Sequence, residues 1–154
     1  MGVDKGGYNN ADVSITYGGK TYKVQTIISD TRMQVRLNSS LLPKGDKVAI
    51  KINYRFAIPA YGADRMGRVY TKNGIVYTVA QWYPRMCVYD DVEGWNTLPY
   101  MGLGERYCEY GNFDYYITAP AGLIVYGGGH FRTAAHVFTP TDHPQVGNAA
   151  PHEN

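Results

Sequence analysis

The side chains of this chain that could do chemistry are few and lie mostly in its carboxyl half. Asp90, Asp91, Glu93, Glu105, Glu109 and Asp114 fall within one stretch, Cys87 and Cys108 sit among them, and His130, His136, His143 and His152 follow. Clustered carboxylates can cage a calcium ion, and a carboxylate pair can cleave a glycosidic bond. Adjacent Asp90 and Asp91 leave opposite faces if the strand persists, so they cannot both serve one site. Asp-x-Glu-Gly after a strand is also an ordinary turn in which carboxylates cap backbone N–H groups. That structural role is the one expected here. The histidines are spaced by six, seven and nine positions, which matches no standard zinc cluster, and they read as solvated residues of a polar tail. Gly127-Gly128-Gly129 is no phosphate cradle, because no Lys-Ser/Thr follows it and no helix opens after it. Cys87 and Cys108 lie among alternating apolar residues and read as two buried free thiols. In an oxidising compartment the two could pair, although two cysteines make no disulfide framework.

The elements that must position these groups are strands. A chain of 154 residues is one domain's worth, long enough for one sizeable core. Its 44% hydrophobic and 18% charged content excludes a disordered chain. Fifteen tyrosines, with abundant Gly and Thr, favour strand over helix. The net charge of +2 is small and the Lys and Arg are scattered, so nucleic acid and anionic membrane surfaces are not indicated. No apolar run approaches the roughly 20 residues that a membrane span needs. The segment MGVDKGGYNN carries no signal-peptide core, and Gly6 stands where a myristoylation motif wants Ser or Thr.

Val13, Ile15 and Tyr17 alternate with polar neighbours, Gly18-Gly19 intervenes, and Tyr22 and Val24 resume the alternation. Two such runs around a glycine pair predict a β-hairpin. Met33, Val35 and Leu37 make a third run, and Leu41 to Asp46 a turn. Val48, Ile50, Ile52, Tyr54 and Phe56 alternate with Lys47, Lys51, Asn53 and Arg55 in the clearest half-buried strand of the chain. Pro59 ends it. Residues Ala60 to Asn73 read as a polar loop, Asn73-Gly74 as a turn, and Ile75, Tyr77, Val79 and Gln81 as one face of the next strand. Further strands are expected over Met86 to Asp90, Glu105 to Tyr110, Phe113 to Ala119 and Leu123 to Tyr126, with an ordered loop from Asp91 to Leu103 pinned by Trp95 and Tyr100. The expected fold is all-β, an antiparallel β-sandwich of about eight short strands over residues 1–129, with 130–154 an irregular polar tail. On such a sandwich Trp82, Trp95 and the tyrosines would suit a stand-alone module that binds glycans or peptides.

Two ordered blocks carry a family resemblance. They are TRMQVRLNSSLLPKGDKVAIKINYRFAIP (Thr31 to Pro59) and VYTVAQWYPRMCVYDDVEGWNTLPYMGLGERYCEYGNFDYYITAPAGLIV (Val76 to Val125). With QWYPRM, YDD, GWN, LPY, a GE pair and an EYG-FDY-IT-PA-IV run in that order, most of residues 11–127 resembles the amino-terminal β-domain of zinc aminopeptidases of the aminopeptidase N family, in the form of bacterial secreted or periplasmic members. The resemblance implies a saddle-like sandwich that packs on a catalytic domain and walls its cleft. Within the family the zinc is held by an H-E-x-x-H helix with a downstream Glu, and a G-x-M-E-N strand binds the substrate's amino end. Neither motif occurs here, so no peptidase activity is expected of this chain alone. No cofactor is expected in it, and zinc belongs to the parent's catalytic domain.

By the same resemblance, Gln81, Trp82 and Tyr83 match the segment that in many members carries a Gln or Glu on the substrate's free amine. The acidic position falls on Tyr83, which brings no negative charge but can accept a hydrogen bond from an ammonium or stack beneath it. The plainer reading, adopted here, is that Trp82 and Tyr83 pack at the interface with the catalytic domain. Two departures from the family pattern stand out. At most a hairpin precedes the block from Thr31 onward, where the family has several strands, so an unpaired strand edge and self-association through it are expected. Beyond Gly129 the sequence drifts from the pattern. A periplasmic or secreted parent is implied.

Overall fold

The computed structural model describes residues 7–60, 65–102, 107–130 and 132, and it is all-β, with antiparallel sheets and no helix among these residues. The chain divides into two compact units, Met1–Tyr110 and Gly111–Asn154.

The centre of the first unit is β1 (Asn9–Tyr17), flanked by β2 (Lys20–Lys23) and β5 (Ala49–Arg55) in the order β2-β1-β5. The Gly18-Gly19 hairpin forms as the sequence predicts. Both glycines have positive φ, 57° and 75°, the conformation a two-residue hairpin turn needs and L side chains resist. The register sets Ile15 opposite Tyr22 on one side and Ile50 on the other, and Val13 opposite Ile52. Cross-strand partners share a face, so the sheet gathers Val13, Ile15, Ile50, Ile52 and Tyr22 on one surface. Val13 and Ile15 are the buried apolar side chains among the described residues, and Ile15 is fully enclosed. At the end of β5, Tyr54 stacks on Phe56 and lies 4.4 Å from the ring of Tyr8, continuing the apolar face beyond the ladder.

Three two-stranded sheets accompany it among the described residues: β3 (Gln25–Ser29) with β4 (Arg32–Arg36), β6 (Gly67–Thr71) with β7 (Gly74–Thr78), and β8 (Tyr89–Asp90) with β9 (Gly94–Trp95). Asp30, at φ 50°, turns β3 into β4, a conformation Asp tolerates. The stretch Ala60 to Asn73 is not all loop. Gly67–Thr71 is a strand, because the turn before Gly74 folds it back on β7 with Val69 opposite Val76 and Tyr70 opposite Ile75. Thr71 Oγ1 fixes that turn, donating to the Gly74 carbonyl at 2.8 Å and accepting from Asn73 N.

Several expected strands are shorter or absent. Of Met86 to Asp90 only Tyr89–Asp90 is strand, since the Asp90 side chain redirects the chain into a turn two residues later. Glu105 and Arg106, with the Gly104-Glu105 pair, lie outside the described residues, and 107–110 carry no ladder. In the second unit neither Phe113 to Ala119 nor Leu123 to Tyr126 is strand. Alternation proposes a strand, but a strand also needs a partner to accept its ladder bonds. There, Leu123 N closes a turn on the Pro120 carbonyl, the Tyr115 hydroxyl donates to the Gly128 carbonyl, and Arg132 pairs with Asp114 at 3.2 Å. A Cβ at Gly127 would sit 2.7 Å from that hydroxyl, so a larger residue there would require the Tyr115 side chain to shift. His130 is exposed, while His136, His143 and His152 lie outside the described residues.

Candidate functional site

The segment Gln81-Trp82-Tyr83 follows β7 directly, and its placement comes from β5. Tyr54 is half-buried on the apolar face of β5, and a phenol in that position needs a partner for its hydroxyl. It donates to the Trp82 carbonyl at 2.8 Å. Burial raises the Tyr54 hydroxyl above its ordinary pKa, so the bond is made by a neutral phenol. Gln81 does not continue the period-2 face of Ile75, Tyr77 and Val79. Its φ is 53°, a left-handed conformation unusual for a residue other than Gly, Asn or Asp, and it leaves Gln81 exposed while Trp82 and Tyr83 are half-buried. The Trp82 and Tyr83 rings meet edge to face, with centroids 5.1 Å apart and planes at 75°. The structure thus brings the three predicted site residues together as one bend: an outward amide beside two packed aromatic rings.

Pro84 leads from this bend to a second cluster, built around Asp90. Its Oδ1 accepts from Val92 N and Glu93 N at 3.1 and 2.7 Å, and its Oδ2 from Asn96 Nδ2 at 2.7 Å and the Tyr107 hydroxyl at 3.1 Å. Four donors on one carboxylate favour its charged form. The Glu93 N–H and the Asn96 amide are the main reasons that Asp90 is held below the ordinary carboxyl range. Tyr107's own hydrogen bond to Asp90 lifts its hydroxyl above the ordinary phenol range, because donating to the carboxylate holds the proton in place. Asn96 N also donates to the Val88 carbonyl at 2.9 Å. Asp90 is saturated by donors that organise the β8–β9 turn, with Asp91 and Glu93 exposed around it.

The loop after β9 is tied down from the opposite direction. Tyr100 N donates to Thr31 Oγ1 at 2.9 Å, and the Arg32 guanidinium donates to the Thr97 carbonyl, so the β3–β4 turn clasps this loop. Trp95 and Tyr100, expected to pin it, are both more than half exposed, and the pinning is done by polar groups of Thr31 and Arg32. Trp95 packs edge to face on Tyr89, with planes at 70°. Neither aromatic pair is coplanar.

The chain matches no family model, no curated protein and no solved structure. The described residues contain no group of three or more His, Cys, Asp or Glu placed to hold a metal ion. No helix among them is long and apolar enough to cross a membrane. Sequence reasoning missed Tyr54, Tyr107, Thr31 and Arg32 as the residues that position these segments. Tyr54 alone left a signal, a phenol on the apolar face of the clearest strand.

Proposed function

We propose that this chain is a non-catalytic β-domain of the kind found at the amino terminus of zinc aminopeptidases of the aminopeptidase N family. It packs on the catalytic domain, narrows access to the zinc cleft and presents Gln81–Tyr83 at the substrate's amino end. The observation that carries this reading is the ordered series of residue blocks from Thr31 to Val125. The disposition of apolar surface supports it. Val69 and Tyr70 on β6, Val76 and Tyr77 on β7, and Leu98, Tyr100 and Met101 in the loop after β9 are all more than a third exposed. Val69 and Val76 lie on one face of the β6–β7 hairpin and Tyr70 and Tyr77 on the other, and a partner domain would cover such exposed apolar side chains without requiring chemistry of this chain. The bend at Gln81 supports it too, since a residue held in left-handed conformation persists where its surroundings over-determine it.

The test has two arms. The genomic sequence on the carboxyl side of this coding region is expected to encode an H-E-x-x-H helix with a downstream Glu, and its absence overturns the family reading. The purified chain, assayed with added zinc against a panel of aminoacyl chromogenic substrates, is expected to give no turnover. Zinc-dependent hydrolysis would overturn the non-catalytic role. Binding on a glycan array or in a peptide pull-down would favour a stand-alone binding module instead.

A further inference from the structure

The two half-buried thiols are not bonded to one another, yet two long-range contacts bracket them. The Arg85 guanidinium donates to the Glu109 carbonyl at 2.6 Å, and the Tyr107 hydroxyl donates to Asp90 at 3.1 Å. Residue 85 is therefore tied to 109, and 90 to 107. The two segments pass each other in opposite directions, and Cys87 and Cys108 both fall between the ties. Neither 84–88 nor 107–110 belongs to a strand, so no ladder sets their separation, and a disulfide requires a Cα spacing of about 4.4–6.8 Å.

We propose that Cys87 and Cys108 form an intramolecular disulfide when the protein meets a low-molecular-weight disulfide such as oxidised glutathione. The thiolate of one cysteine attacks a glutathione sulfur, the glutathione S–S bond breaks, and one glutathione leaves as thiolate. The second cysteine then attacks the mixed disulfide, the protein S–S bond forms, and the second glutathione leaves. The two thiol protons of the protein end on the two glutathiones. Two electrons pass from the cysteines to glutathione disulfide. The bond would close the segment 88–107, which contains the Asp90 cluster and the loop clasped by Thr31 and Arg32, so its mechanical effect is to lock that segment. Oxidising compartments are where such a bond would persist.

The experiment incubates the folded chain with oxidised glutathione, quenches with an alkylating agent and reads intact mass and peptide maps. The expected result is a monomer lighter by two hydrogens, resistant to alkylation, with the peptides of Cys87 and Cys108 cross-linked. Formation should be faster in the folded chain than in urea. In Cys87→Ser the product should instead be a single glutathione adduct on Cys108. Two alkylatable cysteines after oxidation, separate glutathione adducts on both, disulfide-linked dimers, or cross-linking no faster folded than unfolded would each overturn the proposal.

Discussion

Tyr54→Phe isolates the link between β5 and the Gln81–Tyr83 bend. The substitution removes one oxygen and keeps the ring, so the packing against Tyr8 and Phe56 survives. What is lost is the 2.8 Å hydrogen bond to the Trp82 carbonyl. Donor and acceptor are both neutral, and such a bond is worth about 0.5–1.5 kcal/mol net. Trp82 is half-buried rather than enclosed, so its carbonyl regains water and the full desolvation penalty of an orphaned acceptor does not apply. The expected loss is about 1 kcal/mol, roughly a fivefold fall in the folding equilibrium constant. Tyr54→Ala also removes the ring from its aromatic neighbours and should cost at least about 2 kcal/mol. Urea unfolding followed by tryptophan emission measures both. In a Trp95→Phe background the signal comes from Trp82 alone, and its native emission should move to longer wavelength as the bend loosens. An unchanged urea midpoint together with unchanged Trp82 emission in Tyr54→Phe would refute the idea that β5 holds the bend.

Ile15→Ala, at the fully enclosed position of β1, should destabilise by about 2–5 kcal/mol in the same unfolding assay, whereas Ile28→Ala, 65% exposed, should stay within about 0.5 kcal/mol. Gln81→Val should be less stable than Gln81→Gly by about 1–2 kcal/mol, because a β-branched side chain resists the positive φ, and equal stability would deny the left-handed bend. Asp90 has a lowered folded-state pKa, so its stabilising contribution is complete above the ordinary carboxyl range and disappears as pH falls through the lowered value. Acid titration monitored by Trp95 emission should therefore show a transition beginning below the ordinary carboxyl value of 3.8, absent in Asp90→Asn. Tyr107 runs the other way, its pKa being raised, so its contribution is complete below the ordinary phenol value and is lost as pH rises through the raised one. Tyr107→Phe should remove that alkaline component.

Local pattern carried much of the fold. Gly18-Gly19 between two alternating runs reads as a tight hairpin, and the alternation of Val48 to Phe56 sets an apolar, half-buried face against a solvated one. The turn role of the carboxylates after Tyr89 was equally local, since an aspartate caps N–H groups two and three residues ahead. The strand at Gly67–Thr71 was hidden because two glycine-flanked turn signals surround it and only its pairing with Gly74–Thr78 reveals it. The opposite error occurred over Phe113–Ala119 and Leu123–Tyr126, where alternation was present but no strand among the described residues completes a ladder. Contacts between residues far apart in the chain left no trace in local pattern. Tyr54 with Trp82, Thr31 with Tyr100, Arg32 with Thr97, and the two ties of Arg85 to Glu109 and Tyr107 to Asp90 depend on how separate turns converge. The sequence alone determined which residues prefer strands, turns and an apolar face. Tertiary structure decided which strands found partners and which side chains hold the Gln81–Tyr83 bend, because a hydrogen bond or a packed face needs two partners and the chain's order specifies only one at a time.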